Sequence, residues 1–138
     1  MKFGIVQPDQ IHRYWHEAKP LISKALEHAD GEMFAEDVLP RLLDGVQHLW
    51  LGSDDAIFLA LVTEIVNYPR KKVLRIITFA TETGYDMDKW YHFMDILEDF
   101  GLRCGCSSIE AWARKGLAKK LNWDHEYSVI TKHIEEDY

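Results

Sequence analysis

Glu64 is the side chain in this sequence best suited by its surroundings to move a proton. It interrupts an otherwise apolar run within Ala56 to Tyr68, and burial there would raise a carboxyl pKa toward the range a general base needs. On the polar side of the same strand it would be an ordinary solvated carboxylate. His12 and His16 are one helical turn apart, the spacing of half a metal site. No third ligand follows in a recognised pattern, so they read as helix-surface histidines and no metal is expected. Cys104 and Cys106 flank one glycine, too close for an easy disulfide, and read as reduced thiols. Two basic clusters, Arg70-Lys71-Lys72 and Arg114, Lys115, Lys119, Lys120, are anion contacts or solvated faces. No Ser-His-Asp arrangement, P-loop or dinucleotide fingerprint is present, which removes the hydrolase, NTPase and dehydrogenase classes.

The chain that must position these groups has 138 residues, 47% of them hydrophobic, enough for one domain with its own core. A formal net charge of −7 argues against general nucleic-acid binding. The apolar runs fall well short of the roughly 20 residues of a membrane span, and no basic-then-apolar leader opens the sequence. A soluble, cytoplasmic protein is the expectation, with no membrane partner and an open oligomeric state.

Ile11, Tyr14, Trp15, Ala18, Leu21, Ile22, Ala25 and Leu26 recur at helical spacing, so a helix is expected from Pro8 to about Ala29, kinked or divided at Pro20. A second helix is expected over Phe34 to Asp44, stopped by Gly45. Val46 to Leu51 and Ala56 to Tyr68 read as an antiparallel hairpin around Gly52-Ser53-Asp54-Asp55. Val73 to Ala80 reads as a further strand with Leu74, Ile76 and Thr78 on one face and Val73, Arg75, Ile77 and Phe79 on the other. A helix capped by Asp86 or Asp88 buries Trp90, Phe93, Met94 and Leu97 and closes at Gly101. Ser107 to Ala111 is a short strand, Arg114 to Leu121 a short helix and Glu126 to Ile134 a last strand. The five tryptophans form no regular stripe, and most should pack in the core. The order predicts an α/β (α+β) domain: a mixed, mostly antiparallel sheet flanked by helices.

That order resembles the GNAT (N-acetyltransferase-like) superfamily. The similarity is sharpest from Ile109-Glu110-Ala111-Trp112-Ala113-Arg114-Lys115-Gly116 through Leu121-Asn122-Trp123 to Tyr127-Ser128-Val129, with Leu49 to Ile76 similar to the family's meander. More narrowly, the chain resembles small GNAT-like proteins encoded in bacteriophage and prophage genomes. The resemblance implies a sheet splayed between its fourth and fifth strands, acetyl-CoA as acyl donor and an amine as acceptor. It also implies Tyr127 as the acid for the departing thiolate, with Thr81, Thr83, Gly84, Arg114 and Lys115 toward the coenzyme. The family's glycine-rich pyrophosphate loop is replaced by Ala80-Thr81-Glu82-Thr83-Gly84-Tyr85-Asp86-Met87-Asp88, with one glycine and three carboxylates. Those carboxylates suit a helix N-terminus and would repel a diphosphate. Two readings follow: an acyltransferase with an atypical loop, or a GNAT-fold protein without catalysis, retained as a virion component, assembly factor or protein-binding module.

Overall fold

The computed structural model describes residues 2–27, 33–82 and 91–111, with Trp123, Lys132 and Ile134. Its first element is absent from the reading above: Lys2–Val6 forms an edge strand, β1. Five residues with a central glycine, Gly4, carry little alternation of their own. The strand is fixed by its partner, pairing antiparallel with β2 from Lys2↔Ser53 to Val6↔Leu49.

A 3-10 turn at Pro8–Gln10 leads into α1, Ile11–Leu26. The helix runs through Pro20 without division, contrary to expectation. Pro20 is exposed, so the hydrogen bond its ring removes lies on the solvent side, where water can replace it. Ile11, Ala18, Leu21 and Ile22 form the buried stripe. The second helix, α2, spans Ala35–Leu43. Asp37 accepts the Phe34 backbone N–H at 2.9 Å at its start, and Gly45, at φ +76°, closes it as its left-handed conformation requires.

Strands β2 (Gln47–Ser53), β3 (Ile57–Asn67) and β4 (Lys72–Thr81) make the antiparallel meander. Helix α3, Tyr91–Arg103, then crosses to β5, Ser108–Ala111, which lies parallel to β4. The strand order is β1-β2-β3-β4-β5, a mixed, mostly antiparallel sheet as expected. Gly101 does not end α3. A Cβ there would meet Cys106 and Leu74 at 3.6 and 3.8 Å, ordinary contact, and the helix runs on to Arg103, with Gly105, φ +83°, in the turn that follows. The expected cap and Trp90, the short helix and the last strand lie outside the described residues.

One face of the sheet packs Leu49, Leu51, Ala60, Val62 and Ala80 beneath α1 and α2. The other packs Trp50, Leu59, Leu61, Leu74 and Ile76 beneath Phe93, Met94 and Leu97 of α3. Between Val62↔Thr78 and Thr63↔Ile76 the β3–β4 register skips Ile77, so β4 carries a bulge. The bulge corrects the expected alternation. Phe79 joins Leu74 and Ile76 on the α3 face, while Thr78 lies opposite Val62 on the α1 face. A strict period of two cannot anticipate an inserted residue.

Beneath α3, Thr63 Oγ1 accepts the Trp50 indole N–H at 3.0 Å and lies 3.0 Å from His48 Nδ1. The hydroxyl hydrogen is thus available to Nδ1 of a neutral imidazole, and the ring meets Phe100 edge-on at 5.1 Å. Burial holds the His48 pKa below its ordinary value, partly offset by the Glu64 charge. The unfolded chain therefore binds more protons than the folded one as pH drops below about 6.5, and stability falls with it. Chemical denaturation from pH 8 to pH 5 should show this loss beginning near pH 6.5. His48→Phe should show a shallower slope over the same window, and equal slopes would contradict the assignment.

Candidate functional site

The sheet changes character at one level of β4. Its described parallel pairing with β5 runs from Val73↔Ser108 to Ile76↔Ala111, the last described residue of that segment, and β4 itself continues to Thr81. Among the described residues no strand pairs with β4 on that side beyond Ile76, and the bulge at Ile77 falls at the same level. Glu82 donates its backbone N–H to Phe58 O at 2.8 Å, so the backbone groups of Glu82 face β3. Successive residues of a strand alternate in this respect, so the N–H and C=O of Thr81 point to the opposite side, away from β3. An unpaired edge beside a bulge can receive an extended ligand by backbone hydrogen bonds. The carboxyl ends of parallel strands joined by a crossover helix are also where α/β sheets commonly open a crevice.

Below this opening a polar row crosses the α1 face. The registers Gln47↔Glu64, Glu64↔Arg75 and Arg75↔Glu110 align four strands. At its outer end Arg75 Nε donates to Glu110 Oε1 at 2.8 Å, with side chains 15% and 20% exposed. Tyr68 donates its hydroxyl to Glu110 Oε1 at 3.0 Å and receives Arg75 Nη2 at 3.1 Å. Burial opposes the Arg75 charge, but the bonds to Glu110 and Tyr68 outweigh it and hold its pKa above the ordinary value. This cluster fastens β5 to β4. At the inner end Gln47, 1% exposed, donates Nε2 to Glu64 Oε2 at 3.2 Å. Its own Oε1 is buried without a hydrogen-bond partner, as is Thr78 Oγ1.

Of the residues singled out by sequence, Glu64 and Thr81 are described. Glu64 is half-buried on β3, one strand in from the opening and held by Gln47, an arrangement between the buried and solvated alternatives. Thr81 ends β4 at the outer edge of the opening. Thr83, Gly84, Arg114, Lys115 and Tyr127 lie outside the described residues. His12 and His16 line a groove of about 510 Å³ on the outward face of α1 with Trp15, Lys19 and Pro20. Among the described residues no group of three His, Cys, Asp or Glu side chains could hold a metal. Cys104 and Cys106 are free thiols, and burial raises the Cys106 pKa. The basic turn is partly accounted for: Lys71 lies over the Tyr68 ring at 5.3 Å and Lys72 donates to Cys104 O at 3.1 Å. Among the described residues no helix is long and apolar enough to cross a membrane.

Sequence reasoning missed Tyr68, Arg75 and Glu110 as a unit. The signal that selected Glu64, a charge inside an apolar strand, was present at Arg75 as well. Only the register shows that Arg75 and Glu110 are cross-strand neighbours.

Comparison with solved structures gives this geometry a context. A ribosomal-protein-alanine N-acetyltransferase from Brucella melitensis superposes with a TM-score of 0.69 at 10% identity, covering 97% of this chain and 100% of its own. The fold is that of the GNAT acetyltransferases. A GCN5-related N-acetyltransferase from Ralstonia eutropha gives 0.67 at 15% identity over 96% and 97% of the two chains. An aminoglycoside acetyltransferase from a soil metagenome, solved with sisomicin, gives 0.67 at 12% identity over 99% and 96%. No protein-family model matches the GNAT-fold chain, and no curated protein matches it in sequence.

The Arg75–Glu110–Tyr68 cluster carries a measurable load. Glu110→Ala leaves a largely buried guanidinium without its carboxylate and should cost about 1–3 kcal/mol in urea denaturation. A loss below about 0.5 kcal/mol would show that the cluster does not hold the two strands.

Proposed function

We propose that this chain is an acyl-coenzyme A-dependent N-acyltransferase that receives its donor along the β4 edge. The observation that carries the reading is the bulge at Ile77 in β4 together with the backbone groups of Thr81, which are turned away from β3. The outward N–H and C=O of Thr81 are of the right type to meet the amides of a pantetheine arm, and the bulge at Ile77 interrupts the ladder at the inner end of the opening. These backbone groups suit the amides of the coenzyme, and the similarity in fold to acetyltransferases agrees with the reading.

The coenzyme would supply the activated acyl group as a thioester. Acyl transfer forms a bond from the acceptor nitrogen to the acyl carbon and breaks the carbon–sulfur bond. The acceptor loses a proton and the thiolate gains one. Glu64, half-buried and hydrogen-bonded by Gln47, is the proposed base, reaching the acceptor through water. Tyr127 is the proposed acid, and Thr81, Thr83, Gly84, Arg114 and Lys115 are the proposed coenzyme contacts.

The carboxylates Glu82, Asp86 and Asp88 in the loop after β4 favour a second reading: a GNAT-fold protein without catalysis, serving as a binding module such as a phage virion component or assembly factor. Two measurements separate the readings. Calorimetric titration with acetyl-CoA should show saturable binding, and no heat at millimolar ligand would overturn the first reading. Amine acetylation should fall about 10²-fold or more in Glu64→Gln, within the usual contribution of a general base. A variant as active as the parent would remove Glu64 from that role.

A further inference from the structure

Lys24 stands at the mouth of the opening although it belongs to an element on one face of the sheet. It lies in the last turn of α1 and is exposed, yet its Nζ donates to Thr81 O at 3.2 Å. That carbonyl points away from β3, because the neighbouring Glu82 N–H is committed to Phe58 O on the β3 side. The ammonium is thus carried round to the outer end of the β4 edge. Among the described residues it has no carboxylate within ion-pair distance, in contrast to Lys19, which pairs with Glu36 at 3.2 Å. An ammonium has three donors, and the Thr81 carbonyl uses one.

The position also matches the length of the proposed donor. From the bulge at Ile77 to Thr81 the strand covers about 13 Å. A donor with its thioester beside the bulge would carry its phosphates toward the outer end of β4, after which the sequence continues with Glu82, Asp86 and Asp88 and no Lys or Arg before Lys89. We propose that Lys24 is the cation that binds the diphosphate of the acyl donor, compensating for the acidic, glycine-poor loop. The inference rests on the acyl-coenzyme A reading. It adds a binding residue from α1 that neither the loop nor the similarity in fold assigns.

The ordinary alternative is that Lys24 only fastens α1 to β4 through Thr81 and complements the negative end of the helix. Three variants separate the roles: Lys24→Arg keeps the charge, Lys24→Gln keeps a donor without charge, and Lys24→Met keeps only the stem. Calorimetry with acetyl-CoA and with acetyl-pantetheine, which lacks the diphosphate, provides the readout. Lys24→Gln and Lys24→Met should bind acetyl-CoA about five- to tenfold more weakly, with Lys24→Arg close to the parent and acetyl-pantetheine affinity unchanged in all three. The parent's affinity for acetyl-CoA should also fall more steeply with salt than that of Lys24→Gln. Equal acetyl-CoA affinities across the series, or losses shared by both ligands, would overturn the role of Lys24 and leave the donor site standing. A parent protein that binds neither ligand would overturn the donor site itself, and Lys24 with it.

Discussion

The parallel pairing of β4 with β5, described from Val73↔Ser108 to Ile76↔Ala111, is the constraint on which the rest depends. Parallel ladders are slightly weaker per residue than antiparallel ones. Arg75, Glu110 and Tyr68 add a charged, mostly buried fastening. That fastening lies just before the β4 bulge at Ile77. Apolar packing is non-directional and extends over both faces of the sheet. Directional bonds fix the register there.

The two helical layers serve different ends of β4. Helix α3 buries Phe93, Met94 and Leu97 on Leu74 and Ile76, which holds the paired half of β4 in place. Helix α1 covers the α1 face and sends Lys24 to Thr81 at the outer end. A cation is thus delivered to the end of β4 from a segment more than fifty residues earlier in the chain.

Much of this architecture was legible in the residues. The helical spacing of Ile11 to Leu26 and the strand-rich runs on either side of Asp54-Asp55 anticipated α1 and the meander, although β2 runs on through Gly52 and Ser53, which were expected in the turn. What escaped had identifiable physical causes. Strand β1 has no pattern of its own and exists through pairing with β2. Pro20 was tolerated because it faces water, and Gly101 passed through a helix that its neighbours stabilise on both sides. The bulge at Ile77 exchanged the faces of Thr78 and Phe79, which no regular period contains. In the site, Glu64 stood out as a charge in an apolar strand, whereas its partner Gln47 carried no signal. Arg75 and Glu110 acquire meaning only through a register that spans thirty-five positions of sequence, and Lys24 only through a contact across fifty-seven.

The central claim is that the β4 edge beyond Ile76 is a ligand-binding edge. Amide-resolved NMR titration with acetyl-CoA tests it most directly. Saturable shifts should concentrate on Ile76 to Thr81, with the β1 amides of Gly4 and Ile5 unmoved. Shifts confined to the His12–Pro20 face of α1, or no saturable shifts at all, would contradict the account.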